Sequence, residues 1–270
     1  MANAFTHLSG RTALITGASS GLGAEFADQL ARQGVNLVLV ARRTDRLTSL
    51  AAQLMANFAI EVTCVTADLS LPESGATLIE NLTRDGVSPD IIVNNAGFGT
   101  HRALADEKPE VIRNEIALNV GAVVDITRAA LPHLCTQNFG LIVNVASTAA
   151  FQSLPYLTTY AATKSFVLSF TEGLWGELEK TGVRAIALCP GPTSTEFFDV
   201  AGQDAIAGPM QTSQQVVAAA LKAAQGRRSR PFVISGGLNR TGAFASRLFP
   251  RKTVIRLGRS IMTRNRKISS

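Results

Sequence analysis

The sequence predicts a doubly wound α/β fold: a mostly parallel sheet of seven strands with helices on both faces, in a single domain. Three observations predict it. Seven short runs rich in β-branched residues are too uniformly apolar for strands with one wet face. Longer segments of helical period separate them, giving βαβ alternation. At 270 residues the chain can bury a large core, and an α/β fold of this size is commonly one unit.

The elements follow in order. Thr12 to Thr16 is the first strand and Gly21 to Gln33 the first helix. Val35 to Val40 leads into the helix Thr44 to Phe58, and Val62 to Thr66 and Ile91 to Asn94 are the third and fourth strands. Glu107 to Gln137 reads as one long helix, which Pro132 should bend or end near His133. Leu141 to Ala146, the helix Thr158 to Thr181, Val183 to Leu188, the helix Ser213 to Ala224 and Phe232 to Ile234 complete the sheet. The domain is expected to occupy residues 1–240, with 241–270 as a basic extension. No internal repeat, heptad array or Ser/Pro-rich linker is present.

Composition narrows the setting. No run of eighteen uninterrupted apolar residues occurs, and the first twenty residues lack a basic start followed by an apolar stretch, which argues against export and membrane spanning. Cys64, Cys135 and Cys189 are odd in number and widely spaced, as expected of buried thiols in a reducing cytoplasm. The net charge of +6 hides an asymmetry: residues 1–204 carry 13 Lys/Arg and 20 Asp/Glu, a balance of −7, whereas 205–270 carry 13 Lys/Arg and no acid, a balance of +13. The basic end is where an anionic partner would be met.

Chemistry concentrates in two stretches. Gly17, Gly21 and Gly23 follow the first strand and open the first helix; lacking Cβ atoms, they allow a tight turn that brings backbone N–H groups and the helix amino terminus to a pyrophosphate, as in a Rossmann-type fold. Tyr160 and Lys164 lie four apart on a predicted helix, so both project from one face, about 6 Å apart along the axis. A neighbouring ammonium favours a phenolate by roughly one to three units, bringing Tyr160 closer to the range of a general acid or base at neutral pH. Ser147 stands at the carboxyl end of a buried strand, able to donate to a carbonyl oxygen. With Asn119 these residues form a set suited to moving a hydride to or from a carbonyl.

Together with Thr16-Gly17-Ala18-Ser19-Ser20-Gly21-Leu22-Gly23 and Asn94-Asn95-Ala96-Gly97, this set resembles the short-chain dehydrogenase/reductase family over about residues 8 to 236. The resemblance implies that Tyr160 protonates the carbonyl oxygen, Ser147 steadies it, and Lys164 lowers the Tyr160 pKa and holds the nicotinamide ribose. It gives Asn119 the ordering of a water that links Lys164 to solvent; by itself Asn119 reads as a local residue at a helix kink. The turn from Gly17 through Ser19, Ser20, Gly21, Leu22 and Gly23 would bind the cofactor. Asn95, Ala96 and Gly97 would line its adenosine side. Asp68 would contact adenine, or else cap the next helix. Pro190, Gly191, Thr193 and Thr195 belong to the PGxxxTxF segment, which meets the carboxamide and phosphates.

NADP(H) is the expected cofactor. An acid at the end of the second strand would accept from a ribose 2′-hydroxyl, but Ala41 stands there, followed by Arg42 and Arg43. A guanidinium forked onto a 2′-phosphate contributes roughly 1.5 to 3 kcal/mol. Arg42 fits the family's basic position better than Arg43; the other reading makes both solvated surface groups. The segment Phe198 to Gln211, a lid in the family, is small and apolar with Asp199 and Asp204 as its acids, which fits an apolar carbonyl or alcohol substrate. His101, Phe151, Tyr156 and Leu157 border the pocket by family position, or simply pack. A homodimer or homotetramer through the two long helices is implied as well.

Pro250 to Ile268 is a separate matter. On a helical wheel Val254, Ile255, Leu257, Ile261, Met262 and Ile268 share one arc, opposite Lys252, Arg256, Arg259, Arg264, Arg266 and Lys267. Such a helix docks on the enzyme's own lid, on another subunit or, peripherally, on an anionic membrane surface. The absence of Trp and Tyr anchors favours docking on protein. Nucleic acid is a poor partner for a tail without stacking aromatics. The competing function class is a nucleotide-binding sensor without turnover, and the complete Asn, Ser, Tyr, Lys set argues against it.

Overall fold

The computed structural model describes residues 4–202, 205, 206 and 208–268. Its sheet contains seven parallel strands, β1 (Thr12–Thr16), β2 (Asn36–Ala41), β3 (Val62–Thr66), β4 (Ile91–Asn94), β5 (Gly140–Val145), β6 (Val183–Cys189) and β7 (Phe232–Ile234), in the order β3-β2-β1-β4-β5-β6-β7. Chain order reverses between β1 and β4, which pair from Ala13↔Ile91 to Ile15↔Val93. Connections leave in opposite directions at that point, so a crevice opens beyond the carboxyl ends of the strands.

Helices cover both faces: α1 (Gly21–Ala31), α2 (Thr44–Asn57), α3 (Ser74–Arg84), α4 (Pro109–Ile116), α5 (Ala122–Thr136), α6 (Thr158–Glu177), α7 (Phe197–Ala201), α8 (Ser213–Ala224), α9 (Gly237–Leu248) and α10 (Arg251–Ile268). Successive strand residues feed opposite cores. Ile15, Leu39, Val93 and Val143 pack with Phe26 and Leu30 of α1, Leu47 of α2 and Val217 of α8. Leu14, Val38, Ile92 and Ile142 pack with Ile79 of α3, Ile126 of α5 and Leu174 of α6. Two covered faces explain the apolar runs.

The structure corrects several expectations. β3 is not buried on both faces: it is one edge of the sheet, Val62 and Val65 are half-buried and its other residues exposed, and Cys64 is exposed along with Cys135 on α5. Only Cys189 is the buried thiol expected. Pro132 does not end the long helix; α5 continues through it to Thr136 at the loss of one i→i−4 hydrogen bond. The segment is interrupted instead at Ala117–Gly121, a single π-helical turn between α4 and α5.

Three helices fall outside the sequence reading: α3, the short α7 at the start of the segment read as a lid, and α9. α3 has the buried stripe Leu78, Ile79 and Leu82, but it follows Glu73 in a left-handed conformation (φ 60°) and carries Gly75 in its first turn. That glycine lets α3 meet α5, since a Cβ there would stand 2.9 Å from the Cβ of Asp125. α9 spans position 240, the expected start of the extension, and packs Ala243 with Val167, Ala187 and Ile234.

Candidate active site

The crevice at the switch point holds a cavity of about 460 Å³. Every catalytic and cofactor-binding candidate from the sequence lines it except Gly23 and Asn119. The β1–α1 turn forms its floor. Gly17 and Gly21 take φ values of 65° and 55°, and a Cβ on Gly17 would stand 2.9 Å from the Ala96 Cα. Gly23 serves packing, because a Cβ there would come within 2.3 Å of the Gly17 carbonyl oxygen. No side chain caps the amino terminus of α1 after Ser20, so its first N–H groups face the crevice as anion donors.

Thr16 is a residue the sequence reading passed over. Its hydroxyl accepts from the backbone N–H of Asn95 and of Ala96, both at 3.0 Å, while the Asn95 amide donates to the carbonyls of Thr16 (2.9 Å) and Gly17 (3.3 Å). The signal was a threonine ending a strand directly before the glycine turn. Asn94 points the other way, donating to Thr127 (3.1 Å) and to Asn144 (2.9 Å), and Asn144 donates to Thr171 on α6 (2.9 Å).

At the end of β2, Arg42 and Arg43 diverge. Arg43 donates to Ser19 (3.1 and 2.9 Å), to Ser20 (2.9 Å) and to Glu196 (2.8 Å). Glu196 also accepts from Arg46, and the two guanidiniums hold its carboxyl down near about 2. This Arg43–Glu196–Arg46 cluster was not foreseen, its members being too far apart in sequence. Arg42 is exposed and lines the cavity. Asp68 also lines the cavity and caps no helix: its carboxylate accepts from the N–H (3.0 Å) and hydroxyl (2.6 Å) of Ser70, which lower its pKa, with Arg42 adding to the effect. The capping alternative is thereby excluded, since α3 begins only at Ser74.

Ser147, Tyr160 and Lys164 converge at the other end of the cavity. Ser147 leaves β5 and caps a short 3-10 turn, its Oγ accepting from the Ala149 N–H at 3.1 Å, which leaves the hydroxyl proton for donation. Tyr160, in the first turn of α6, lies against Phe197 with ring centroids 5.2 Å apart. Lys164 is buried, and its ammonium donates to the Val145 carbonyl at 2.7 Å. Burial pulls the lysine down to about 8. For Tyr160, desolvation dominates and pushes the phenol up to about 12; a hydrogen bond with Ser147 opposes this and the charge of Glu115 adds to it. The Lys164 ammonium, donating to Val145, lies 5.8 Å from the Tyr160 ring centroid.

Asn119 is fully buried at the centre of the π turn. Its amide donates to the Phe98 carbonyl (2.8 Å) and Thr163 (3.0 Å), and its Oδ1 accepts from the Phe98 N–H (3.1 Å). The side chain therefore clamps the β4 loop to α6. Gly99, on the same loop, has no Cβ because one would stand 2.5 Å from the Tyr160 ring.

The substrate end is apolar. Leu154, Leu157, Phe197, Phe198, Val200 and Met262 line it; among the four border candidates only Leu157 does, whereas His101, Phe151 and Tyr156 do not. Met262 comes from α10 and is buried with Leu154, Leu157 and Phe198, and Gly258 of the same helix lies against Leu154 and Pro155. Leu257 and Ile261 stay exposed. Asp204 of the lid, and the side chains of Arg264, Arg266, Lys267 and Ile268, lie outside the described residues.

Known proteins resemble this chain in sequence and fold. Residues 11–205 match the model of the short chain dehydrogenase family. The NADP-dependent 3-hydroxy acid dehydrogenase of Schizosaccharomyces pombe is 34% identical over 195 residues, 71% of this chain and 75% of that protein. A short-chain dehydrogenase from Sphingobium yanoikuyae, solved in complex with NADPH, superposes with a TM-score of 0.78 at 33% identity, over 88% of this chain and 93% of its own. The bulky-bulky ketone specific alcohol dehydrogenase of Comamonas testosteroni gives a TM-score of 0.74 at 30% identity, covering 88% and 92%. The chain belongs to the short-chain dehydrogenase family and is an oxidoreductase of that family.

Gly99→Ala is expected to displace Tyr160 and lower kcat by about 10-fold or more while leaving nucleotide affinity within about 2-fold. Steady-state kinetics together with a nucleotide-binding titration check the split.

Proposed function

We propose that the protein is an NADP(H)-dependent oxidoreductase that interconverts an apolar ketone and a secondary alcohol, with Tyr160 as general acid and base. The observation that carries this reading is the convergence of Tyr160, Ser147 and Lys164 on the cavity that the glycine turn and Arg42 also line.

The residues fit the nucleotide. Positive φ at Gly17 and Gly21 and the uncapped start of α1 form an anion cradle, and no carboxylate stands at position 41 to repel a 2′-phosphate. Arg42 would hold that phosphate, with Asp68, Asn95, Ala96 and Gly97 on the adenosine side. Ser19, Ser20, Leu22, Pro190, Gly191, Thr193 and Thr195 would complete the wall, and Lys164 would hold the nicotinamide ribose. Bound there, the nicotinamide supplies the hydride. The protein does the rest. Ser147 donates to the substrate oxygen and holds it toward Tyr160, which gives its proton in reduction and takes one in oxidation. A phenol raised toward about 12 is protonated at neutral pH, as the reducing step requires.

Apolar walls support an apolar substrate, and the ketone-specific relative from Comamonas testosteroni agrees. Dimer or tetramer formation finds support in Ile116 on α4 and Phe166 on α6, both exposed large apolar side chains on the helices implied to pair. A cytoplasmic setting is consistent with the absence, among the described residues, of a helix long and apolar enough to cross a membrane. For residues 241–270, burial of Met262 supports docking of α10 on the substrate end. The exposed Leu257 and Ile261 beside Arg256 and Arg259 are what supports peripheral membrane contact, the second reading of that helix. A sensor without turnover is disfavoured by the complete set of reacting side chains.

Tyr160→Phe is expected to lower turnover by at least about 10³-fold with nucleotide binding nearly intact, read by NADPH absorbance over a panel of ketones and alcohols. An active mutant removes Tyr160 from the mechanism. Arg42→Ala should weaken NADPH by about 10-fold or more and NADH by much less; equal losses count against Arg42. Met262→Ala should raise kcat/KM for bulky ketones relative to small ones by roughly 10-fold, and an unchanged ratio would separate α10 from specificity.

A further inference from the structure

Segment 190–195 is held from outside the cavity by the first turn of α9. Gly191, Pro192 and Thr193 line the cavity, whereas Asn239 on α9 and Gln211, the last residue of segment 198–211, do not. The Asn239 amide fills the space that a Cβ on Gly191 would need, its atoms standing 2.3–2.5 Å from that position. Both of its N–H donors are engaged, one by the Ser235 carbonyl (2.8 Å) and one by the Gln211 Oε1 (3.1 Å). Gln211 in turn pairs with the segment through its backbone. Its N–H donates to the Pro192 carbonyl and its carbonyl accepts from the Ser194 N–H, both at 2.9 Å, around a parallel bridge between Thr193 and Gln211. Gly236, at φ 86°, makes room for the pair, since a Cβ there would stand 3.0 Å from the Asn239 Nδ2 and 3.1 Å from the Gln211 Oε1.

Prolines at 190 and 192 leave this segment short of N–H groups with which to fix itself. Its start is tied to the turn that carries Ser147, because the Pro190 carbonyl accepts from the Thr148 N–H at 2.8 Å. Its other anchor is the Asn239–Gln211 pair. We propose that Asn239 is a positioning residue that fixes the nicotinamide end of the cofactor site by holding segment 190–195 through Gly191 and Gln211. The proposal rests on the NADP(H) reading above, in which this segment meets the carboxamide and the phosphates. Asn239 touches no reacting group. Loss of its donors leaves two acceptors, the Ser235 carbonyl and the Gln211 Oε1, without their partner, and frees the segment to shift while the adenosine end, built on the ends of β2 and β4, stays in place.

Asn239→Asp keeps the shape of the side chain and removes both donors. In the full chain without nucleotide, hydrogen exchange at the Ser194 and Gln211 amides should quicken by about 5-fold or more, with the Asn95 and Ala96 amides as unchanged controls. Calorimetric titration should show NADPH affinity reduced by about 10-fold, and adenosine 2′,5′-bisphosphate, which has the 2′-phosphate but no nicotinamide, within about 2-fold of the parent. Gln211→Leu, which keeps the backbone bridge and removes one acceptor, should give the same selectivity at about 3-fold, and it reads the contact even where Asn239→Asp fails to fold. Unchanged exchange, or equal losses for the two nucleotides, would overturn the proposal. The exchange arm needs no nucleotide: a parent that binds neither ligand would sink the NADP(H) reading, whereas a parent that binds both and a variant that matches it would sink this inference alone.

Discussion

The site depends on a junction between two strand ends. β1 and β4 are neighbours in space but joined through β2, β3 and three helices, and the crevice between their exits would gape if each turn relaxed independently. Thr16 and Asn95 prevent that. Four hydrogen bonds of 2.9–3.3 Å tie the glycine turn to the Asn94–Gly97 turn, and Gly17 and Gly23 let the backbones close to contact. A single buried hydrogen bond contributes only about 0.5–1.5 kcal/mol, so the consequence is chiefly geometric. It presents the N–H groups at the start of α1 as a fixed anion cradle.

The reacting side chains hang from a second fixed line. Asn94, Asn144 and Thr171 form a buried chain of amides and hydroxyls from β4 through β5 to α6, and Asn119 ties α6 to the loop that carries Gly99. In a low-dielectric interior such a chain strongly penalises displacement, because each member left without its partner bears its desolvation cost. α6 is thereby held in one rotation, and Tyr160 and Lys164 keep their places on it. Desolvation then sets their chemistry, raising the phenol and lowering the ammonium, so that the two lie further apart in proton affinity than the free side chains do.

Much of this was legible in the sequence. Apolar runs located all seven strands, to within one or two residues, because both faces of a parallel sheet are covered; β3 was misjudged because strand order, which alone makes it an edge, is not written in local pattern. Helix α3 escaped because Gly75 and the left-handed Glu73 mask its start. The glycine turn and the Tyr160–Lys164 spacing were readable as motifs. Thr16, Gly99, Asn239 and the Arg43–Glu196–Arg46 cluster were not, since each acquires meaning only from a partner distant in the chain. Periodicity also assigned Met262 to an apolar arc without revealing that it would enter the cavity.

That cluster bears on how the two arginines share their work. Arg43 is engaged by Ser19, Ser20 and Glu196, whereas Arg42 stands exposed at the cavity with Asp68 in its field. Exposed ion pairs contribute about 0–1 kcal/mol, so Glu196 does not lock Arg43 energetically. What the pair does is spatial: Glu196 belongs to the segment that continues into α7 and Phe198, and Arg43 belongs to the rim of the nucleotide site. One carboxylate thus bridges the rim to the apolar wall of the substrate end, and a phosphate arriving at the rim would compete with it for the same guanidinium at small cost. The two halves of the cavity meet through an interaction weak enough to exchange.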